Sequence, residues 1–176
     1  WSPGGNPDLQ AEKSWNEEAS ILVRLDKNPE IHNSVFTFTA FNSDIDNWIA
    51  WIPRGPLSYP ENIREVHARG FEFNGETTLQ YSEIQFQISE GYTYAASTNE
   101  KQLNVYDNSY KKQLIYIPKH RMYVSVTFQY QKFTLAYDHN FTGIRYTTAD
   151  NKNELPSYNI GNLNLGKSIN FKNQIL

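Results

Sequence analysis

At 176 residues with a net charge of −3, the chain suits one domain and offers no basic excess for a nucleic-acid partner. It contains no cysteine, which excludes disulfides and thiolate chemistry, and no run near the ~20 apolar residues that a membrane-spanning helix needs. Hydrophobic residues make up 39%, ordinary for a water-soluble domain, but a β-barrel wall needs an apolar residue only at every second position, so composition does not separate the two.

Period-two hydrophobicity predicts seven strands, near residues 15–26, 33–43, 64–78, 84–97, 120–130, 133–147 and 158–171. In the first, Ile21, Val23 and Leu25 fall opposite Leu22, Arg24 and Asp26, and a short turn around Asn28-Pro29 follows. The second alternates Phe36, Phe38 and Ala40 with Thr37 and Thr39, then leads into a long loop, Asp44 to Asn62, holding Trp48, Trp51 and three prolines. The third and fourth form a hairpin joined near Gln80 to Glu83, and Ile84, Phe86, Ile88, Tyr92 and Tyr94 share one face of its second arm. Asn99 to Pro118 reads as a second long loop. The cleanest signal comes next: Met122, Val124, Val126, Phe128 and Tyr130 alternate with Tyr123, Ser125, Thr127 and Gln129. The chain turns at Gln131-Lys132 and returns with Phe133, Leu135 and Tyr137 on the matching face. Thr147 to Pro156 is a third loop, the seventh strand puts Leu163, Leu165, Ile169 and Phe171 on one side, and Ile175-Leu176 open an eighth.

Short polar turns thus take turns with long aromatic loops, the construction of an all-β, antiparallel up-and-down transmembrane β-barrel. The apolar positions expected to face lipid are Phe36, Phe38, Val124, Val126, Phe128, Phe133, Leu135 and Tyr137. Opposite them, Ser125, Thr127, Thr134, Ala136 and Asn140 suit a wide wall lined by water or a plug. Trp1-Ser2-Pro3 begins within a pattern rather than with a charged and apolar leader, so the sequence reads as an internal piece of an exported protein.

Chemical motifs are sparse. His32, His67, His120 and His139 are scattered one per segment with no spacing that would bring two onto a shared face as metal ligands, so neither a metal nor a cofactor is expected. Glu17-Glu18 and Asp44/Asp46 fit turn and rim chemistry as well as acid/base work, and no catalytic residue is assigned. The Asn140-Phe141-Thr142 sequon falls within a strand. Aromatic and polar residues concentrate in the long loops, with Trp48, Trp51, Arg54 and Tyr59 in one and Tyr106, Asn108, Tyr110 and Tyr116 in another. Rigid rings with adaptable polar neighbours make good ligand-contact surface, and the same rings could serve to anchor the loops or sit at headgroup level.

Three blocks share a family resemblance. Gly5-Asn6-Pro7-Asp8-Leu9-Gln10-Ala11-Glu12-Lys13-Ser14 resembles the entry into a late barrel strand of TonB-dependent outer-membrane receptors. Asp46-Asn47-Trp48-Ile49-Ala50-Trp51-Ile52-Pro53, then Tyr59-Pro60-Glu61-Asn62-Ile63 and Gly70-Phe71-Glu72, is similar to the loop and descending strand that follow in that family. Ile117-Pro118-Lys119-His120-Arg121, then Phe141-Thr142-Gly143-Ile144-Arg145-Tyr146 and Leu155-Pro156-Ser157-Tyr158, is similar to strands near its C-terminus. The resemblance implies about seven strands of a 22-stranded barrel in the outer membrane of a Gram-negative bacterium, without the plug, the TonB box or the early and closing strands. It implies lipid, the rest of the barrel and plug, TonB and a small nutrient, of vitamin B12 or siderophore type, as partners. A soluble carbohydrate-binding β-sandwich and a small self-contained outer-membrane barrel are the competing readings.

Overall fold

A computed structural model describes residues 2–3, 5–25, 31–54, 56–102 and 104–169, with only the backbone described at 2, 3, 31, 32, 52–54, 63 and 64. The expected turn at Asn28-Pro29, the end of the seventh strand at Phe171 and the opening of an eighth at Ile175-Leu176 lie outside the described residues, as do the side chains of His32 and Arg54.

The architecture is one antiparallel meander. Its strands are β1 (Ser2–Pro3), β2 (Lys13–Leu25), β3 (Ile31–Arg54), β4 (Leu57–Tyr81), β5 (Ile84–Asn99), β6 (His120–Tyr130), β7 (Phe133–Thr142), β8 (Arg145–Tyr146), β9 (Glu154–Leu155) and β10 (Tyr158–Lys167). The order across the sheet is β10-β7-β6-β5-β4-β3-β2, with β1 parallel to the upper part of β4 and β8–β9 a small separate hairpin. Each long strand therefore pairs with its sequence neighbour, as an up-and-down barrel wall requires.

Register fixes the faces, because residues directly opposite in an antiparallel pair share one side of the sheet. Ile21, Phe38, Phe73, Tyr92, Met122 and Phe141 form one row, and Phe86, Phe128 and Leu135 continue the same face lower down. Phe36–Phe73, Phe38–Phe71 and Phe86–Phe128 rings meet across strands at 6.2, 5.7 and 5.0 Å. The opposite face is polar: Ser20, Thr39, Glu72, Thr93, Arg121 and Thr142 make one of its rows. Between the Phe71 and Tyr81 rows the apolar face carries a single described carboxylate, Glu90, lying over Gly75. A Cβ at Gly75 would sit 2.9 Å from the Glu90 carboxylate oxygen, so the glycine makes room for it.

Among the described residues, two tight turns close one end. Ser82-Glu83 joins β4 to β5 and Gln131-Lys132 joins β6 to β7, with Ser82 and Gln131 at φ of 54° and 52°. Two-residue hairpins need a positive φ at the first central residue to match strand twist, and here non-glycine residues supply it.

Three expectations are corrected. Residues 44–62 are not a loop: β3 continues to Arg54, β4 starts at Leu57, and Pro53 and Pro60 pair with Ser58 and Trp51 within the ladder. The prolines are tolerated because β2 leaves β3 at Asp46 and β5 leaves β4 at Val66, so Pro53 and Pro60 lie on edge stretches where neither strand needs their N–H. The sixth strand stops at Thr142 rather than 147, where the backbone N–H of Gly143 turns back to the His120 carbonyl at 2.9 Å. Finally, the register puts His67, His120 and His139 on one face, in separate rows.

Candidate functional site

Above the wall, the ladder gives way to side-chain bonding. Two register shifts follow each other at Ile45/Trp48 and Trp48/Ile49, and Asn47, within the first, adopts a φ of 58°. Bulges of this kind bend a strand and re-aim its side chains. They lie where β3 rises clear of β2 as one arm of a two-stranded hairpin carrying Trp48, Trp51 and, on β4, Tyr59. Trp51 is 56% exposed, whereas Trp48 and Tyr59 are half-buried. The Arg54 backbone lies near the hairpin tip.

The second group sits in residues 100–119. Tyr106, at 86% exposure, and its neighbour Val105 project from a tip held by the Tyr106 N–H donating to Asn104 Oδ1. Asn108 and Tyr110 are exposed beside it. This loop is folded rather than loose. Asn99, the most buried side chain described, donates through Nδ2 to the Lys101 carbonyl and to Ser109 Oγ. Gln113 is buried too: its Oε1 accepts from the Ser97 N–H, and its backbone N–H and C=O bond the Asn151 side-chain amide at 2.9 Å each. A buried amide that satisfies several backbone groups at once stands in for a missing strand.

The structure brings the hairpin and this loop side by side at their bases, where the Glu100 N–H donates to the Glu65 carbonyl and Lys101 Nζ lies 3.4 Å from the Glu65 carboxylate. Among the described residues no ring contact joins the two aromatic groups. Lys111 pairs with Glu100. Burial alone would push the Glu100 carboxyl up, but hydrogen bonds from Lys111 and Thr98 outweigh it and hold it below its ordinary value, while the bond to Glu100 raises the Lys111 ammonium. The described residues contain no group of three or more His, Asp or Glu placed to hold a metal ion.

Residues that sequence reasoning missed complete the rim. Asn6, Gln10, Glu12 and Asn62 tie the N-terminal segment to the hairpin, and Asn6, Gln10 and Asn62 border a polar recess of about 490 Å³ that Lys101 also lines. Their signal was the Gly5-to-Ser14 block, which the resemblance treats only as a strand entry.

A meander with tight turns at one end, long ordered loops at the other and faces of opposite character defines a wall segment of a large, long-looped β-barrel. Residues 1–175 match the family described as TonB dependent receptor-like, beta-barrel, and the chain belongs to that family. The vitamin B12 transporter BtuB of Photobacterium profundum is 26% identical over 168 residues, covering 91% of this chain and 24% of that protein. The same transporter of Vibrio vulnificus is 25% identical over 167 residues, again 24% of its length. The chain therefore spans about a quarter of these relatives. Among solved structures, the siderophore receptor PiuA of Acinetobacter baumannii aligns with a TM-score of 0.64 at 19% identity, over 88% of this chain and 22% of that one. BauA, the ferric preacinetobactin receptor of the same species, aligns at 0.62 and 16%, over 86% and 22%. At such identities the structural likeness speaks for the fold. The proteins matched are transporters and receptors, not enzymes.

Proposed function

We propose that this segment is part of the wall of an outer-membrane transporter that takes up a scarce nutrient of the cobalamin or ferric-siderophore class. The energy would come through TonB acting on a plug inside the completed barrel. The observation that carries the membrane reading is a single-layer sheet with an exposed apolar face. Among the described residues, Val66 and Leu114 are the only large hydrophobic side chains that are buried, whereas Phe38, Phe133, Leu135 and Tyr137 remain about half exposed. A soluble sandwich would cover that face with a second sheet. Phe36, Phe38, Val124, Val126, Phe128, Phe133, Leu135 and Tyr137 then face lipid.

The dimensions agree. From Ile84 to Tyr94 the apolar face of β5 spans ten residue steps, about 33 Å along the strand. At a tilt of about 45° that is roughly 23 Å of height, against an apolar band of about 25 Å. Tyr81, Ile84, Tyr130 and Phe133 border it below, and Phe71, Tyr94 and His120, with ring centroids 5.2 to 5.6 Å apart, border it above. These rings suit interfacial girdles.

Trp48, Trp51, Arg54, Tyr59, Tyr106, Asn108 and Tyr110 lie at or beyond the long-loop end, where they would meet the nutrient outside the cell. The cobalamin and siderophore classes are favoured by the relatives' names alone. The test is accumulation of labelled cyanocobalamin and of labelled ferric siderophores by cells expressing the full-length receptor, with and without TonB. TonB-dependent uptake of either class is expected. Failure of the receptor to bind any member of both classes would overturn the nutrient assignment.

A further inference from the structure

The chain before β2 crosses the upper hairpin. β1 lies against the free edge of β4, with Ser2 opposite Leu57 and Pro3 opposite Ser58, while β2 lies against the far edge of β3. The intervening residues must pass between the two edges, and their bonds trace a path over residues 60–62 and 47–49. Asn6 Nδ2 donates to the Pro60 carbonyl at 2.8 Å. The Gln10 N–H donates to Asn62 Oδ1 at 2.7 Å, and Asn62 Nδ2 donates back to the Gln10 carbonyl at 2.9 Å. The same Nδ2 also donates to the Asn47 carbonyl at 2.7 Å, and the Ile49 N–H donates to Glu12 Oε1 at 2.7 Å.

Two of these partners lie at the bulges: the Asn47 carbonyl falls within the Ile45/Trp48 shift, and the Ile49 N–H follows the Trp48/Ile49 shift, on a stretch of β3 that β2 has already left. Asn62 and Glu12 reach them with their side chains. The need is physical, because a two-stranded hairpin standing alone in water is marginally stable, and a third element on it changes that. Above Asp46 and Val66 the hairpin has neither β2 nor β5 beside it, so the strap is its third element.

We propose that Glu12 and Asn62 are positioning residues that lock the β3–β4 hairpin, and with it Trp51, in one pose above the barrel rim. The pose itself needs no ligand; its value for nutrient capture rests on the function proposed above. Neither residue need touch the nutrient.

Hydrogen exchange followed by mass spectrometry on the purified full-length receptor, without ligand, tests this. Peptides covering residues 47–62 are compared with peptides covering 84–97. Glu12→Ala and Asn62→Ala are expected to speed exchange in 47–62 by about tenfold or more and to leave 84–97 unchanged, a charged acceptor to a backbone N–H being among the stronger hydrogen bonds. Glu12→Gln keeps an acceptor oxygen at the same place and is expected to restore most of the protection. Unchanged exchange in both alanine variants would overturn the proposal. So would loosening that spreads to 84–97, or a Gln variant no better than Ala. Trp51→Ala separates this from the uptake reading. If Trp51→Ala leaves nutrient binding intact while Glu12→Ala still loosens the hairpin, the contact role of Trp51 fails and the latch stands.

Discussion

The wall and the rim of this molecule solve the same problem by different means. In the wall, from the Tyr81 row up to Ala95, backbone groups are paired by neighbouring strands, so side chains are free to face two media. In the rim, the ladder is interrupted, and Asn62, Asn99, Gln113 and Glu12 supply the missing partners. The lesson is that amide and carboxylate side chains at the rim are structural equivalents of strands, whereas the wall has little use for them in that role. Substitutions should therefore hurt for different reasons in the two regions.

The largest effect is expected at Gly70 in the wall. A Cβ there would come within 1.8 Å of the Tyr94 carbonyl oxygen and 2.9 Å of the Phe41 ring, and the backbone atom has nowhere to go. Gly70→Ala should cost more than about 3 kcal/mol and abolish the heat-modifiable band of the full-length barrel on gels of unboiled samples. Normal assembly would show that the strands separate at this point more easily than the ladder suggests. Next comes Val126→Arg on the apolar face, expected to cost ~2 to 4 kcal/mol if that face meets lipid, read as a lowered urea midpoint of the barrel in bilayers. An unchanged midpoint would mean that the two faces have been exchanged.

A rim substitution should instead act locally. Asn99→Leu fills much the same space but leaves Ser109 and the Lys101 carbonyl without their donor, an expected cost of about 1 to 3 kcal/mol. Limited proteolysis should cut residues 100–119 faster while assembly and heat resistance stay normal. Global loss of assembly would erase the distinction between the regions. Gly91→Ala belongs to the wall but should be milder than Gly70→Ala, because the obstacle, 2.1 Å away, is the Tyr123 ring, which can swing off. That costs the Tyr123 hydroxyl its 3.5 Å bond to Asn74, and about 1 kcal/mol is expected in the same urea titration.

The smallest effect is on pH dependence. The Glu100 carboxyl and the Asp150 carboxyl, the latter through bonds from the Thr148 hydroxyl and the Lys152 N–H, are both held below their ordinary values. Such groups contribute stability above the ordinary carboxylate range and lose it as pH falls through the lowered folded value. Lys111 is raised, so its contribution is complete below the ordinary lysine range and fades only as pH rises through the higher folded value. Proteolysis of residues 100–119 and 147–153 should therefore be slowest between those limits and quicken in strong acid. Loss of protection near neutral pH would contradict the carboxylate shifts.

The sequence was most legible where one rule operated. The hairpin of His120–Tyr130 and Phe133–Thr142 follows strict alternation around a two-residue turn, and it forms with that register. Alternation also located the apolar face, though it passed over Glu90, whose place depends on Gly75 a strand away. The β3–β4 extension was misread because proline is judged by its neighbours in sequence. What makes Pro53 and Pro60 acceptable is that β2 and β5 no longer flank β3 and β4 at that height, a property of the sheet. The site was half legible: composition picked out the loop aromatics, but much of their support comes from side chains bonded across 37 to 54 positions, for which no short-range pattern exists.

The strap also carries a consequence for the order of events as the chain assembles. Every long strand docks on the one made just before it, so the meander can grow along one edge with only short closures of chain. β1 is the exception: it precedes β2 in the chain, yet its partners are residues 57–58, more than fifty positions further on. Its closure must follow the laying down of β4 and carries the larger loop entropy. The hairpin therefore passes through a stage in which it is formed but unstrapped, with its Trp51 face not yet fixed. Maturation of the outer surface should accordingly lag behind insertion of the wall, as a separate and slower kinetic phase.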